Sequence, residues 1–219
     1  MIDTILFDLD GTLLNTLEDL KNSANFALKK FGFPIRTLEE VRRFVGNGLR
    51  RLIAQAVPPE TSEKTIDAVL AEMKLHYQAH CTDNTVPYDG IYELIDALRS
   101  AGFRMAIVSN KAAPMTERLR EKFFDGRIDV AFGESPQLRR KPSPDMPLAA
   151  LERLGSSISR SVYVGDSEVD LLTAENAKIP CLSVGWGFRS AQILEDAGAS
   201  KVYYTPQSLC EALLSLADS

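Results

Sequence analysis

Histidine and tryptophan are nearly missing from this 219-residue chain, with two of the first and one of the second, and cysteine is scarce at three. His76 and His80 stand at i, i+4, as zinc-binding pairs do, but no third ligand is evident, and a solvated helix face accounts for them. Cys81, Cys181 and Cys210 are odd in number and far apart, so they form neither a disulfide framework nor a metal knuckle. They are expected to be reduced thiols in a cytoplasmic protein. No apolar run approaches about 18 residues, so no membrane span is expected. The first residues lack both a basic start and a long apolar stretch, so no signal peptide is expected. An excess of positive charge is also absent: 25 Lys and Arg against 30 Asp and Glu give −5. Nucleic-acid binders that work through phosphate contacts carry the opposite sign, so that class is set aside. Repeats and low-complexity segments are lacking. With 45% hydrophobic and 25% charged residues the chain has a globular composition, large enough for a sizeable core.

The hydrophobic pattern alternates between two periods. Ile2–Leu9 is a short β-favouring run broken by Asp10-Gly11-Thr12. Helical spacing then takes over at Leu17, Leu20, Ala24, Ala27, Leu28 and Phe31, and Gly32 stops it. Thr37 and Glu40 form a capping box, Gly46-Asn47-Gly48 interrupts, Leu49–Val57 resumes until Pro58-Pro59, and a third helix runs from about Ser62 to His80. The stretch from Asn15 to Pro87 therefore reads as all-helical, with no strand inside it. Beyond it, apolar strands at Phe103–Ser109, Val130–Phe132, Ser161–Val164, Cys181–Val184 and Val202–Tyr204 alternate with helices at about Ile91–Leu98, Ala113–Phe124, Pro144–Leu154, Glu168–Ala177, Ala191–Ala197 and Leu209–Leu216. Strands apolar throughout imply a parallel sheet covered on both faces. The expected fold is α/β, a doubly wound parallel sheet formed by 1–14 and 88–219, with an all-helical domain inserted at 15–87.

Ligands of such sheets bind outside the carboxyl ends of the strands. Asp8 and Asp10 follow the first strand, Ser109-Asn110 the second, Lys141 the third, and Gly165-Asp166 the fourth, so four placements fall on one rim. Asp8 and Asp10, two apart in an extended segment, can face one site, although a solvated turn is the plainer reading of an isolated Asp-x-Asp. Gly11 permits a turn and Thr12 offers a hydroxyl. Asp166 and Asp170 are one helical turn apart; alone they would read as helix capping. Crowding Asp8, Asp10, Asp166 and Asp170 requires a cation, and oxygen ligands without His or Cys select Mg²⁺. Lys141, in a loop stiffened by Pro142 and Pro144, and Ser109, at a helix entrance, suit a phosphoryl group; a solvent-facing lysine and a helix cap are the alternatives. With Asp10 protonated, the other three carboxylates and a phosphate dianion total about −5, of which Mg²⁺ and Lys141 return about +3. Mg²⁺ dependence is the expectation.

Asp8-x-Asp10-Gly-Thr, Ser109-Asn110, Lys141-Pro-x-Pro and Gly165-Asp166-Ser-x-x-Asp170 together resemble the haloacid dehalogenase-like superfamily, in the right order along the whole chain. Gly46-Asn47-Gly48-Leu49, Arg139-Arg140-Lys141-Pro142 and Gly185-Trp186-Gly187-Phe188-Arg189 are similar to its phosphoglycolate phosphatase subgroup. The resemblance implies that Asp8 attacks phosphorus and binds Mg²⁺. Asp10 protonates the leaving alcohol and then deprotonates water, its backbone carbonyl joining the metal. Ser109, the Asn110 backbone and Lys141 hold the phosphoryl oxygens, and Thr12 helps orient these and Asp10. Asp166 completes the metal's protein ligands, and Asp170, one layer behind, fixes a metal-bound water. The helical insertion would be a cap hinged near Asn15 and Pro87. Asn15-Thr16 departs from the Asp-Ser common in the family, yet both residues can still cap a helix. Gly46, Asn47, Gly48 and Arg50 could meet a substrate's anionic end, or form a plain helix–helix turn.

The implied function is hydrolysis of a small phosphomonoester, 2-phosphoglycolate favoured, with no nucleic-acid or membrane partner. A sugar-phosphate mutase of the same superfamily is the nearest rival, and a non-catalytic phospho-acceptor or binding module a remote one. Halide-removing and phosphonate-cleaving relatives fit less well, because the first needs neither Asp10 nor Mg²⁺ and the second typically lacks the second Asp.

Overall fold

The computed structural model describes residues 1–216 and divides into two compact units, one made of Met1–Leu14 with the chain from Pro87 onward, the other of Asn15–Val86. The first is built on a six-stranded, wholly parallel sheet. Its strands are β1 (Thr4–Phe7), β4 (Arg104–Ala112), β5 (Val130–Glu134), β6 (Ser161–Gly165), β7 (Cys181–Val184) and β8 (Val202–Tyr203), in the spatial order β5-β4-β1-β6-β7-β8. Helices α5 (Ile91–Ser100), α6 (Ala113–Phe124), α7 (Asp145–Leu154), α8 (Glu168–Ala177), α9 (Ala191–Asp196) and α10 (Pro206–Ser215) alternate with them. Ile5, Leu6, Phe7, Met105–Val108 and Val162–Val164 are buried with no alternation, as strands covered on both faces must be. From β1 the chain builds outward through β4 and β5, then returns to β6 on the other side of β1. That reversal opens a crevice at the carboxyl ends of β1 and β6, where Asp8 and Asp166 emerge.

The second unit contains α1 (Leu17–Lys30), α2 (Leu38–Phe44), α3 (Leu49–Ala56) and α4 (Glu63–His80). Leu20, Ala24, Ala27 and Leu28 of α1 and Val69, Met73 and Tyr77 of α4 bury its core. The Thr37/Glu40 capping box forms, and positive φ at Gly46 (110°) and Gly48 (82°) supplies the break before α3. His76 and His80 stack with ring centroids 4.3 Å apart; Nδ1 of the first meets Ser23 Oγ and Nδ1 of the second meets Asp83. Cys81 is buried, Cys181 and Cys210 are half-buried, and none of the three is in a disulfide.

Several boundaries differ from the sequence reading. The stretch from Asn15 to Pro87 is not purely helical, because β2 (Leu14–Asn15) and β3 (Val86–Pro87) pair where the chain leaves and re-enters. Such two-residue strands are too short to leave a periodic signal. Thr16 makes no capping bond with its side chain; Asn15 Oδ1 accepts the Leu17 N–H at 3.4 Å instead. α10 starts three residues early, at Pro206 as first helical residue, with the Thr205 hydroxyl accepting from Ser208 N. The sheet domain was expected to run to residue 219, but 217–219 lie outside the described residues.

Sequence periodicity also passed over a buried carboxylate. Asp19 of α1 is 2% exposed and accepts from the Asn84 and Thr85 backbone N–H groups, the Asn84 amide and the Thr85 hydroxyl, all at 2.8–3.1 Å. It ties the end of the helical unit's chain back to its first helix. Because Asp19→Ala would leave four donors unsatisfied, it should cost roughly 2–4 kcal/mol of unfolding free energy by urea titration. A change below about 0.5 kcal/mol would show the clasp to be dispensable.

Candidate active site

Asp8 leaves β1 with its backbone N–H donating to Val164 O of β6 at 2.8 Å, which fixes where its side chain starts. Asp166 arrives from the turn between β6 and α8, and Asp170 from the first turn of α8. Carboxylate oxygens of Asp8, Asp166 and Asp170 converge within 4.8 Å of one another, the one such acidic, His or Cys grouping among the described residues. All three residues are buried, at 6%, 2% and 0% exposure. Lys141 enters this group from the loop after β5, with Nζ 2.6 Å from Asp8 Oδ1, 2.7 Å from Asp170 Oδ1 and 3.2 Å from the Tyr163 hydroxyl.

Lys141 is held by its backbone as much as by its charge. The Asn110 side chain of β4 receives the Lys141 N–H on Oδ1 at 2.6 Å and donates to the Lys141 carbonyl at 3.2 Å. Asn176 of α8 donates to Pro142 O at 2.8 Å. On the outer side Asp145 accepts from Arg139 at three nitrogens and from Ser143 Oγ, contacts that hold its carboxyl well below the usual range.

The glycines around the cluster make room for its carboxylates. A Cβ on Gly11 (φ 93°) would lie 2.3 Å from Asp166 Oδ2, and one on Gly187 would also lie 2.3 Å from that oxygen. Phe188 N–H donates to Asp166 Oδ2 at 2.6 Å, Thr12 Oγ1 reaches Asp166 Oδ1 at 3.5 Å, and Trp186 Nε1 donates to Thr12 O at 3.0 Å. The segment after β7 thus locks the turn after β1. Both Asp170 oxygens are engaged, Oδ1 by Lys141 and Tyr163, Oδ2 by the Ser167 N–H and hydroxyl. The capping role considered for it is real and coexists with its place in the cluster.

Asp10 stands apart from this triad. Its Oδ1 lies 3.1 Å from Nζ of Lys111, a residue the sequence reading did not single out. The signal lies in Ser109-Asn110-Lys111, a lysine directly after the pair on the strand rim. Ser109 and Asn110 do not close the second strand, and Ser109 is not at a helix entrance. β4 continues to Ala112 by pairing with β5 past an irregularity, and α6 begins at Ala113. The buried Ser109 hydroxyl accepts the Lys111 N–H at 3.2 Å, and Asn110 spends its side chain on Lys141. Gly46, Asn47, Gly48 and Arg50 all belong to the helical unit. Arg50 is paired there with Glu63 and, at 3.1 Å, with Asp67.

The electrostatics follow from burying three carboxylates with one ammonium. Burial opposes the charge on Lys141, but Asp170 and Asp8 more than offset this and raise its pKa well above the usual lysine value. The shortage of positive charge falls on the acids. Burial, then Asp170 and Asp166, drive Asp8 well up against the pull of Lys141, and burial with Asp170 pushes Asp166 up to about 7. Three carboxylates and one lysine leave −2, which one divalent cation would neutralise, and the donors are all hard oxygens, so the residues fit Mg²⁺.

A doubly wound sheet with an acidic triad and a lysine at its topological reversal is a site suited to phosphoryl chemistry. The family model described as haloacid dehalogenase-like hydrolase matches residues 5–184. The chain is 34% identical over 195 residues to a phosphoglycolate phosphatase of Agrobacterium fabrum, covering 87% of this chain and 83% of that one. It is 30% identical over 219 residues to a phosphoglycolate phosphatase of Thiobacillus denitrificans, covering 97% and 95%. Among solved structures, a candidate phosphoglycolate phosphatase from Lactobacillus delbrueckii subsp. bulgaricus superposes with a TM-score of 0.93 at 33% identity, covering 96% and 98%. CbbY from Rhodobacter sphaeroides, solved in complex with phosphate, superposes with a TM-score of 0.77 at 26% identity, covering 95% and 96%. The chain belongs to the haloacid dehalogenase-like hydrolase family, as a phosphatase of the phosphoglycolate phosphatase-like kind.

The raised carboxyls set a pH dependence of stability for the metal-free protein. A folded pKa above the unfolded 3.8 means the native state binds the extra proton, so stability is lost as pH rises from about 4 through about 7. In EDTA the melting temperature should fall between pH 5 and pH 8, and Asp166→Asn should flatten the fall. An equally steep fall in that variant would place the charge strain elsewhere.

Proposed function

We propose that this chain is a Mg²⁺-dependent phosphomonoester hydrolase that works through an aspartyl-phosphate on Asp8, with 2-phosphoglycolate the favoured substrate. The observation that carries the reading is the fixed Lys141–Asp8 pair inside a triad whose net charge calls for a dication. Asp8 and Asp166, with the Asp10 backbone carbonyl, would hold Mg²⁺. Asp170 supports them from behind, since both its oxygens already serve Lys141, Tyr163 and Ser167. Bound Mg²⁺ supplies the charge neutralisation that lets a phosphate dianion approach the carboxylates.

The remaining work falls to the chain's own groups. The side chain of Asp8 is almost fully buried, so its oxygen attacks phosphorus without a shell of competing water. Lys141 shifts part of its interaction from Asp8 to the phosphoryl oxygens as charge moves onto them, with Thr12 and Ser109 alongside. Asn110 contributes by fixing Lys141. Asp10 protonates the leaving alcohol and then removes a proton from the water that opens the aspartyl-phosphate. The relatives named phosphoglycolate phosphatase support the substrate assignment. In this reading the helical unit is a cap hinged near Asn15 and Pro87, and its Gly46-Asn47-Gly48 loop selects substrate. Arg50 would first have to yield its bonds to Glu63 and Asp67.

Phosphate release from 2-phosphoglycolate and a panel of phosphorylated metabolites, with Mg²⁺ and in EDTA, tests the assignment. The expected result is activity that vanishes in EDTA and returns with Mg²⁺, with kcat/KM highest for 2-phosphoglycolate. Asp8→Asn should remove turnover while the protein stays folded, and Asp10→Asn should slow it by roughly 10²-fold or more. Isomerised sugar phosphate in place of free phosphate would make the chain a mutase; turnover by Asp8→Asn would exclude the covalent route.

A further inference from the structure

Lys111 is built into the site and has no part in the chemistry just described. Along β4, Val108 pairs with Phe132 and the next paired residue, Ala112, with Glu134, so four steps on β4 meet two on β5. An offset of this kind bends a strand and re-aims its side chains. β5 presses against the bend: a Cβ on Gly133 would come 2.5 Å from Lys111 O and 2.6 Å from both Ala113 Cα and Thr116 Oγ1. Only glycine fits there. The Thr116 hydroxyl donates to the carbonyls of Lys111 and Ala112 at 3.2 Å, and the Lys111 N–H donates to Ser109 Oγ. The aimed side chain is 6% exposed and ends 3.1 Å from Asp10 Oδ1. Ordering and desolvating a lysine costs several kcal/mol, so a surface-type ion pair does not explain the arrangement.

We infer that Lys111 is a positioning residue for Asp10, holding its carboxylate in the orientation that water activation needs. The inference rests on Asp10 as acid and base in the proposed reaction. In the first half-reaction an Asp8 oxygen bonds to phosphorus, the bond to the ester oxygen breaks with its electron pair, and that oxygen takes the proton of Asp10. In the second, Asp10 removes a proton from water as the water oxygen bonds to phosphorus, and the electron pair of the broken bond returns to Asp8. An ammonium 3.1 Å from Oδ1 restrains the carboxylate against rotation while it gives up and takes back the proton. The second half-reaction depends on this for every substrate, because the attacking water is the same; the first does so only when the leaving group needs a proton.

Quenched-flow with 4-nitrophenyl phosphate and Mg²⁺ separates the two halves, since nitrophenolate departs without protonation. With Lys111→Met we expect a burst of about one nitrophenolate per enzyme, then a steady state slowed by roughly 10- to 100-fold, as loss of orientation produces. Lys111→Arg, which keeps a cation, should recover to within about 5-fold of the parent rate. Unchanged kinetics in Lys111→Met, or equal slowing of burst and steady state, would overturn the inference. Asp10→Asn serves as reference. If it bursts and Lys111→Met does not, the inference alone fails; if it shows no burst and no slowing, the acid–base role of Asp10 fails first.

Discussion

A single buried ammonium among three buried carboxylates is the constraint around which this structure is arranged. Lys141 meets Asp8 and Asp170 at 2.6 and 2.7 Å, and no water shell is available to spread the remaining charge. Either protons or a dication must balance it. The raised Asp8 and Asp166 carboxyls are the protonic answer, and the proposed Mg²⁺ is the metallic one. Removing water makes every remaining interaction stronger, so the cluster is costly to assemble and responsive to a dianionic substrate once balanced.

The fold meets that cost by supplying rigid supports from separate elements. β1 and β6 set two carboxylates at the reversal in strand order; α8 sets the third. Asn110, Asn176 and the Arg139–Asp145 pair clamp the lysine loop, while Gly11 and Gly187 let backbone close on Asp166 from two sides. No single segment carries the site, so its precision is a property of the sheet.

What could be read from the sequence was what depends on local pattern. α6, α8 and β7 have the limits that apolar period and flanking breakers indicate. The parallel, two-sided burial of the sheet followed from strands without alternation, the residues Asp8, Lys141 and Asp166 from their common position after strands, and Asp170 from its place one helical turn beyond Asp166. What escaped depends on non-local geometry. The extension of β4 through Ala112 exists because β5 pairs with it past the bend, and only the closeness of Gly133 permits this. Lys111 and the use of Asn110 as a clamp follow from that extension. Asp19 gave no signal, since its four donors lie 65 and 66 residues away. The Thr205-Pro206 helix start was visible in principle, as a capping residue followed by proline.

The central claim joins the triad, the cation and the nucleophile in one place. A crystal structure of the protein grown with Mg²⁺ and beryllium fluoride examines all three at once. The account predicts a fluoroberyllate bonded to an Asp8 oxygen, its fluorines facing Lys141 and a cation held by Asp8 and Asp166. A fluoroberyllate that leaves Asp8 unmodified, or a cation bound away from Asp8 and Asp166, would contradict it.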